Sequence, residues 1–202
     1  MKEEKGQRLS GNWELATGNW ELATRNWRLA RSSAGFTVLE LLIVIAVIGI
    51  VTSLAIIGTR QARVRAAEAA AISALRTINQ AQFAFMQTCG NQSYAPTLVS
   101  LATPPPGTDS GFLSPDLTQS DPLQKSGYVF QMGGTANPDA VSTCTGVSSL
   151  SSYFLTADPL TPGHSGTRSF GTNTDRVIYG DITTYSGNMP ESGAPGHGLE
   201  IR

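Results

Sequence analysis

The stretch from Gly35 to Ile57, GFTVLELLIVIAVIGIVTSLAII, decides how the rest of this chain is read. After the glycine come 22 residues with no basic side chain and a single charge, Glu40. Wound as an α-helix at about 1.5 Å per residue, they reach about 33 Å, enough to cross the hydrocarbon core of a bilayer. The stretch is therefore expected to span a membrane. An ionised carboxylate inside a span costs about 2.5 kcal/mol or more, so Glu40 needs a cationic partner and marks a candidate functional site.

The spacing narrows the reading. A small residue (Gly35), an aromatic (Phe36), a carboxylate four residues later (Glu40) and an unbroken apolar run resemble the N-terminal signal of type IV prepilins and of type II secretion pseudopilins. The resemblance implies that a prepilin peptidase/methyltransferase cuts between Gly35 and Phe36 and N-methylates Phe36. It further implies self-assembly into a filament through an inner-membrane assembly platform, with Glu40 pairing with the N-terminal ammonium of a neighbouring copy. Two opposite charges that are each costly in hydrocarbon offset much of that cost when paired, and the pair fixes the axial stagger of the copies. One departure from the family pattern is Ile57, which stands where many members carry a helix-bending proline. Gly49 and Gly58 are the helix-weakening residues nearby, each costing up to about 1 kcal/mol relative to alanine.

Three plainer readings compete. A simple single-pass anchor leaves Glu40 unpaired. A secretory signal peptide has an apolar core of about 7 to 15 residues with a small-residue cut site just after it, whereas the nearest such pattern, Ala67-Glu68-Ala69, lies well past Ile57. A buried helix of a soluble core needs more apolar cover than the remaining sequence offers.

With 14 basic and 15 acidic side chains among 202 residues, the chain supports one modest domain besides the span and no net field that attracts nucleic acid. Residues 1–35 read as a removable leader. They hold a tandem heptapeptide, GNWELAT at 11–17 and again at 18–24, then the altered RNWRLAR at 25–31, with all three tryptophans, Trp13, Trp20 and Trp27. A helix would align the tryptophans with Ala16, Ala23 and Ala30 but send Leu15, Leu22 and Leu29 to another face, and a duplicated DNA tract explains the units better than an interfacial anchor. Residues 29–35, LARSSAG, already form a basic leader, so a start near Leu29 is a second expectation. The basic leader residues place the N-terminus in the cytoplasm and the remainder across the bacterial inner membrane. Arg60, Arg63 and Arg65 follow the span on the exported side, where their stems can snorkel toward headgroups.

From residue 58 to 88 the helix continues as an amphipathic spine. Val64, Ala67, Ala71, Leu75, Ile78 and Phe85 recur on one face, with Gln82 the exception. Cys89-Gly90-Asn91 reads as its stop, with the glycine available for a left-handed cap. Residues 89–126 read as a connecting loop region with short helical turns at 97–102 and 114–118. Residues 127–202 read as an antiparallel β head, with strands at 127–132, 152–157, 167–170 and 176–181 and a mobile Gly/Pro-rich tail. The fold class is thus α+β, a long N-terminal helix packed against a small antiparallel sheet. Three head segments, Lys125-Ser-Gly-Tyr-Val-Phe130, Thr156-Ala-Asp-Pro159 and Thr167-Arg-Ser-Phe170, are also similar to a group of bacterial pilin-like proteins. Cys89 and Cys144 both fall on the exported side; a disulfide between them closes a long loop and contributes about 4 kcal/mol, against the alternative of two separate buried thiols.

Chemistry is sparse. His164 and His197 sit in Pro/Gly-rich segments as solvent-facing loop residues, and Asp158, Asp175 and Asp181 form no dense calcium-binding cluster. No enzyme, cofactor or metal is expected. The function expected is that of a structural pilin subunit, membrane-inserted first and part of a periplasmic or extracellular filament afterwards. The alternatives are a type II secretion pseudopilin and, more distantly, a membrane-tethered periplasmic binding or enzymatic domain.

Overall fold

The structure, a computed structural model, describes residues 35–138 and 143–201. The leader, its heptapeptides and its tryptophans lie outside the described residues. A single helix, α1 (Val38–Thr88), runs through two compact units, residues 1–50 and 51–202.

In the first unit the helix begins where its sequence provides a cap. The Glu40 N–H donates to Thr37 Oγ1 at 3.2 Å, and the Leu41 N–H donates to the Thr37 carbonyl at 3.2 Å. The Thr37 hydroxyl thereby satisfies one of the backbone donors that a helix start leaves open, while its carbonyl accepts the first bond of the helix. Every described residue of this unit is exposed, including Phe36, Leu39, Leu42 and Ile45. Apolar surface left bare in water costs about 25 cal/mol per Å², so lipid or other helices must cover it. The helix is long and apolar enough to cross a membrane.

In the second unit the same helix turns amphipathic. Ala71, Ala74, Leu75, Ile78, Ala81 and Phe85 are buried at three- and four-residue spacing and share one core with Tyr128, Phe130, Met132, Leu155, Ala157, Phe170 and Ile178 of the sheet. That sheet has six strands, β1 (Leu123–Lys125), β2 (Tyr128–Ala136), β3 (Leu150–Pro159), β4 (Ser169–Asn173), β5 (Ile178–Asp181) and β6 (Leu199–Glu200). Every neighbour pair is antiparallel, and the spatial order repeats the chain order. Along β2 the buried Tyr128, Phe130 and Met132 alternate with the more open Val129 and Gln131, the period of a sheet with one face on a core. The fold class read from the sequence is the one observed.

Several local expectations need correcting. β2 and β3 are longer than the expected strands, β4 starts and ends later than 167–170, β5 is shorter than 176–181, and β1 and β6 lie outside the expected strands. β1 exists because Ser126 and Gly127 both take positive φ (52° and 81°), the two-residue turn that matches strand twist, and so Lys125 pairs with Tyr128. The expected connection at 171–175 is largely strand, with Leu155 paired to Thr172 and Phe154 to Asn173. At the helix end the left-handed residues are Asn91 and Gln92 (φ 47° and 66°), not Gly90. Gly90 is needed for space instead: a Cβ there would lie 2.0 Å from the Ser93 carbonyl oxygen.

Gln82, the polar exception on the inner face, is fully buried and acts as a surrogate strand. It accepts from the Ala95 N–H at 2.9 Å and donates to the Ala95 carbonyl at 3.0 Å. Asn79 does similar work one turn earlier, accepting from the Tyr153 hydroxyl and donating to the Thr172 hydroxyl, both at 2.9 Å. Buried amides satisfied this way fix the rotation of the helix on the sheet, because any slip would orphan them. Cys89 and Cys144 are joined as a disulfide that ties the helix end to the segment before β3. In the expected loop, 3-10 turns form at Val99–Ala102 and Pro115–Leu117.

The tail from Thr183 packs more closely than its composition suggests. Tyr185 and Met189 are buried over the sheet face opposite the helix, and β6 closes the edge. Gly171 makes room for them, since a Cβ there would meet Met189 Sδ at 2.7 Å. Four carboxylates hold the tail. Asp158 accepts from the Thr184 hydroxyl and the Tyr185 N–H, Asp175 from the Gly193 N–H, and Asp181 from the Thr183 N–H, besides its pairing with His197. Glu191 takes the Thr135 N–H and the Ser152 hydroxyl. β4 is therefore buried along its whole length, covered on both faces.

Candidate assembly site at the helix start

Gly35, Phe36 and Thr37 precede the helix without regular structure, and nothing lies within 4 Å of where a Gly35 side chain would stand. The Gly35–Phe36 bond thus lies in open backbone ahead of the helix. Phe36 is 78% exposed. Cutting there leaves a positive α-amino group two residues before α1, at the end of the helix where the backbone dipole already carries about half a positive charge. That arrangement is unfavourable unless a carboxylate is close.

Glu40 is the acidic residue of the first turn. Its backbone is fixed by Thr37, it lies in the first turn where the dipole favours a negative charge, and its side chain is exposed. Among the described residues no hydrogen bond or ion pair engages the Glu40 carboxyl group. The pattern Thr37-Val-Leu-Glu40 is that of a capping box. It was open to sequence reasoning as a cap, besides its reading as a charge.

The other candidate residues serve the head. His164 and His197 have separate partners: His164 Nδ1 lies 3.0 Å from Arg60 Nη2, and His197 Nδ1 lies 2.9 Å from Asp181 Oδ2, with the Tyr185 ring stacked on His197. His197 is thus half-buried and paired, against the expectation of a solvent-facing loop residue. Asp158, Asp175 and Asp181, weighed as calcium ligands, spend their oxygens on the tail.

Sequence reasoning passed over Glu68. It is nearly buried and accepts from the Thr167 N–H (2.9 Å) and hydroxyl (2.6 Å) and from Arg168 Nε (3.2 Å) and Nη2 (3.1 Å). Burial pushes its pKa up, but the Thr167 and Arg168 donors outweigh burial and hold it below the ordinary glutamate value. Glu191 is also held low, chiefly by the Ser152 hydroxyl. A depressed carboxylate stabilises the fold fully above its unfolded pKa, near 4.3, and stops doing so as pH falls through its folded pKa. Glu68→Gln is therefore expected to cost about 1–2 kcal/mol at neutral pH, a figure kept low because Arg168 is half exposed. In thermal melts of the detergent-solubilised chain, the gap between variant and parent should close in acid, once the pH falls below the ordinary glutamate range and through the lowered folded pKa; a gap that persists there would show that Glu68 acts through shape rather than charge.

Residues 30–56 match the family described as the prokaryotic N-terminal methylation motif. Neither the curated proteins nor the solved structures match the chain. The matched segment ends inside the apolar stretch and contains Gly35, Phe36 and Glu40. The chain therefore carries the N-terminal signature of the type IV pilin and pseudopilin family.

Proposed function

We propose that the protein is a structural subunit rather than an enzyme, inserted in the bacterial inner membrane with its N-terminus in the cytoplasm. A prepilin peptidase cuts it after Gly35 and methylates Phe36, and the assembly platform then stacks it with its copies into a type IV pilus. The supporting observation is the Glu40 carboxylate, held in the first turn of an exposed apolar helix with no partner among the described residues. The new ammonium of a neighbouring copy supplies that partner, and the apolar side chains that face lipid in the membrane face sister helices in the filament. The β head decorates the outside.

Mass spectrometry of the membrane-extracted protein tests the processing step. The expected species begins at Phe36 and carries one N-methyl group; an intact leader on the membrane form would point instead to a tethered domain. The same first turn serves a type II secretion pseudopilus, and immunogold labelling separates the two readings. Filaments on the cell surface support the pilus, and labelling confined to the periplasm supports the pseudopilus.

A further inference from the structure

Three residues past the apolar stretch, Arg60 and Arg63 line a cleft of about 700 Å³ together with Gln61, Val64, His164 and Thr167. The first four belong to α1; the last two come from the segment between β3 and β4. Arg60, Arg63 and Arg65 are all exposed, and none of them enters an ion pair among the described residues. Glu68, which reaches Thr167 on the rim, is already matched by Arg168. The cleft is thus a concentration of positive charge without a counterion. A guanidinium can only donate, so Arg60 Nη2 makes His164 Nδ1 the acceptor and leaves the ring proton on Nε2 as a further donor.

We propose that this cleft binds the phosphodiester headgroup of an anionic phospholipid while the subunit is in the membrane. Arg60 and Arg63 supply charge-assisted hydrogen bonds to the phosphate oxygens, and His164 walls the site from the head side. The occupant follows from position: Arg60 lies less than one helical turn beyond Ile57, where the hydrocarbon gives way to headgroups. Snorkelling arginines on a bare helix attract any anionic surface, but a cleft with one wall from the head can hold a single lipid and position the head above it. The inference rests on reading residues 36–57 as a membrane span.

The test is native mass spectrometry of the full chain in detergent with equimolar phosphatidylglycerol and phosphatidylcholine, paired with flotation on phosphatidylcholine vesicles to score insertion separately. The parent chain should retain phosphatidylglycerol preferentially. Arg60→Gln and Arg63→Gln should each weaken that preference about fivefold, while Arg76→Gln, which removes a charge farther along the same helix, should not. His164→Ala decides between a built site and diffuse attraction: loss of preference supports the cleft, and full retention overturns it. Displacement of the lipid by soluble glycerol phosphate as readily as by added lipid would reassign the site to a free anion. A chain that inserts yet shows no preference sinks the lipid site alone, whereas a chain that fails to float sinks the span and the lipid site together.

Discussion

Glu40→Ala is expected to leave the chain inserted and trimmed while abolishing filaments. The span keeps its length and gains hydrophobicity, and the Gly35–Phe36 bond lies outside the helix, so neither insertion nor cleavage depends on this carboxyl group. Assembly does. Removing one partner of a desolvated, hydrogen-bonded charge pair costs about 2–5 kcal/mol, most of it from the charge left behind, here the Phe36 ammonium of the adjoining copy. At about 3 kcal/mol, each subunit addition weakens by roughly a hundredfold, and a filament needs every addition to succeed. Shearing cells and comparing the filament fraction with the membrane fraction reads this directly. Glu40→Gln separates charge from shape, because it keeps the side chain's size and one acceptor oxygen and should still fail. Normal filaments from either variant would end the pairing argument.

The second large effect belongs to the head. Phe85 is fully buried, meets Phe112 edge-on at 5.4 Å and lies under the tight Gly90 turn. Truncation to alanine leaves a cavity that the disulfide-tied helix end resists filling, at a cost of about 4 kcal/mol. For a domain of this size that lowers the melting temperature by about 10 °C. Phe83 is the control. It is half-buried, with the Arg176 guanidinium 4.2 Å from its ring centroid, and Phe83→Ala should cost about 1 kcal/mol, for a partly exposed ring and one cation–π contact. Equal losses from the two truncations would mean that the helix end is not packed as described.

These two residues also mark what the sequence makes legible. Phe85 falls on a helical stripe and Glu40 interrupts an apolar run, and both signals depend on positions within one element. Helix, sheet and candidate assembly residues were readable for that reason. The less legible features depend on residues far apart in the chain. Gln82 breaks the stripe because it completes the backbone pairing of Ala95, and Glu68 looks like a surface charge until Thr167 and Arg168 arrive from the sheet. The tail reads as loose because glycine and proline dominate it, yet the void at Gly171 and the carboxylates of Asp158, Asp175 and Glu191 supply its anchors. β1 is three residues long and carries one apolar side chain, too little for an alternation to register.

The strand order has a consequence for how the head matures. Because each strand pairs with the one synthesised just before it, the sheet can be laid down progressively as the polypeptide is made, each newcomer meeting a finished template on the helix that precedes it. Little long-range search is required. Closure of β6 is then the last event, so a chain that ends before residue 199 would display an open β5 margin, a natural handle for quality-control proteases.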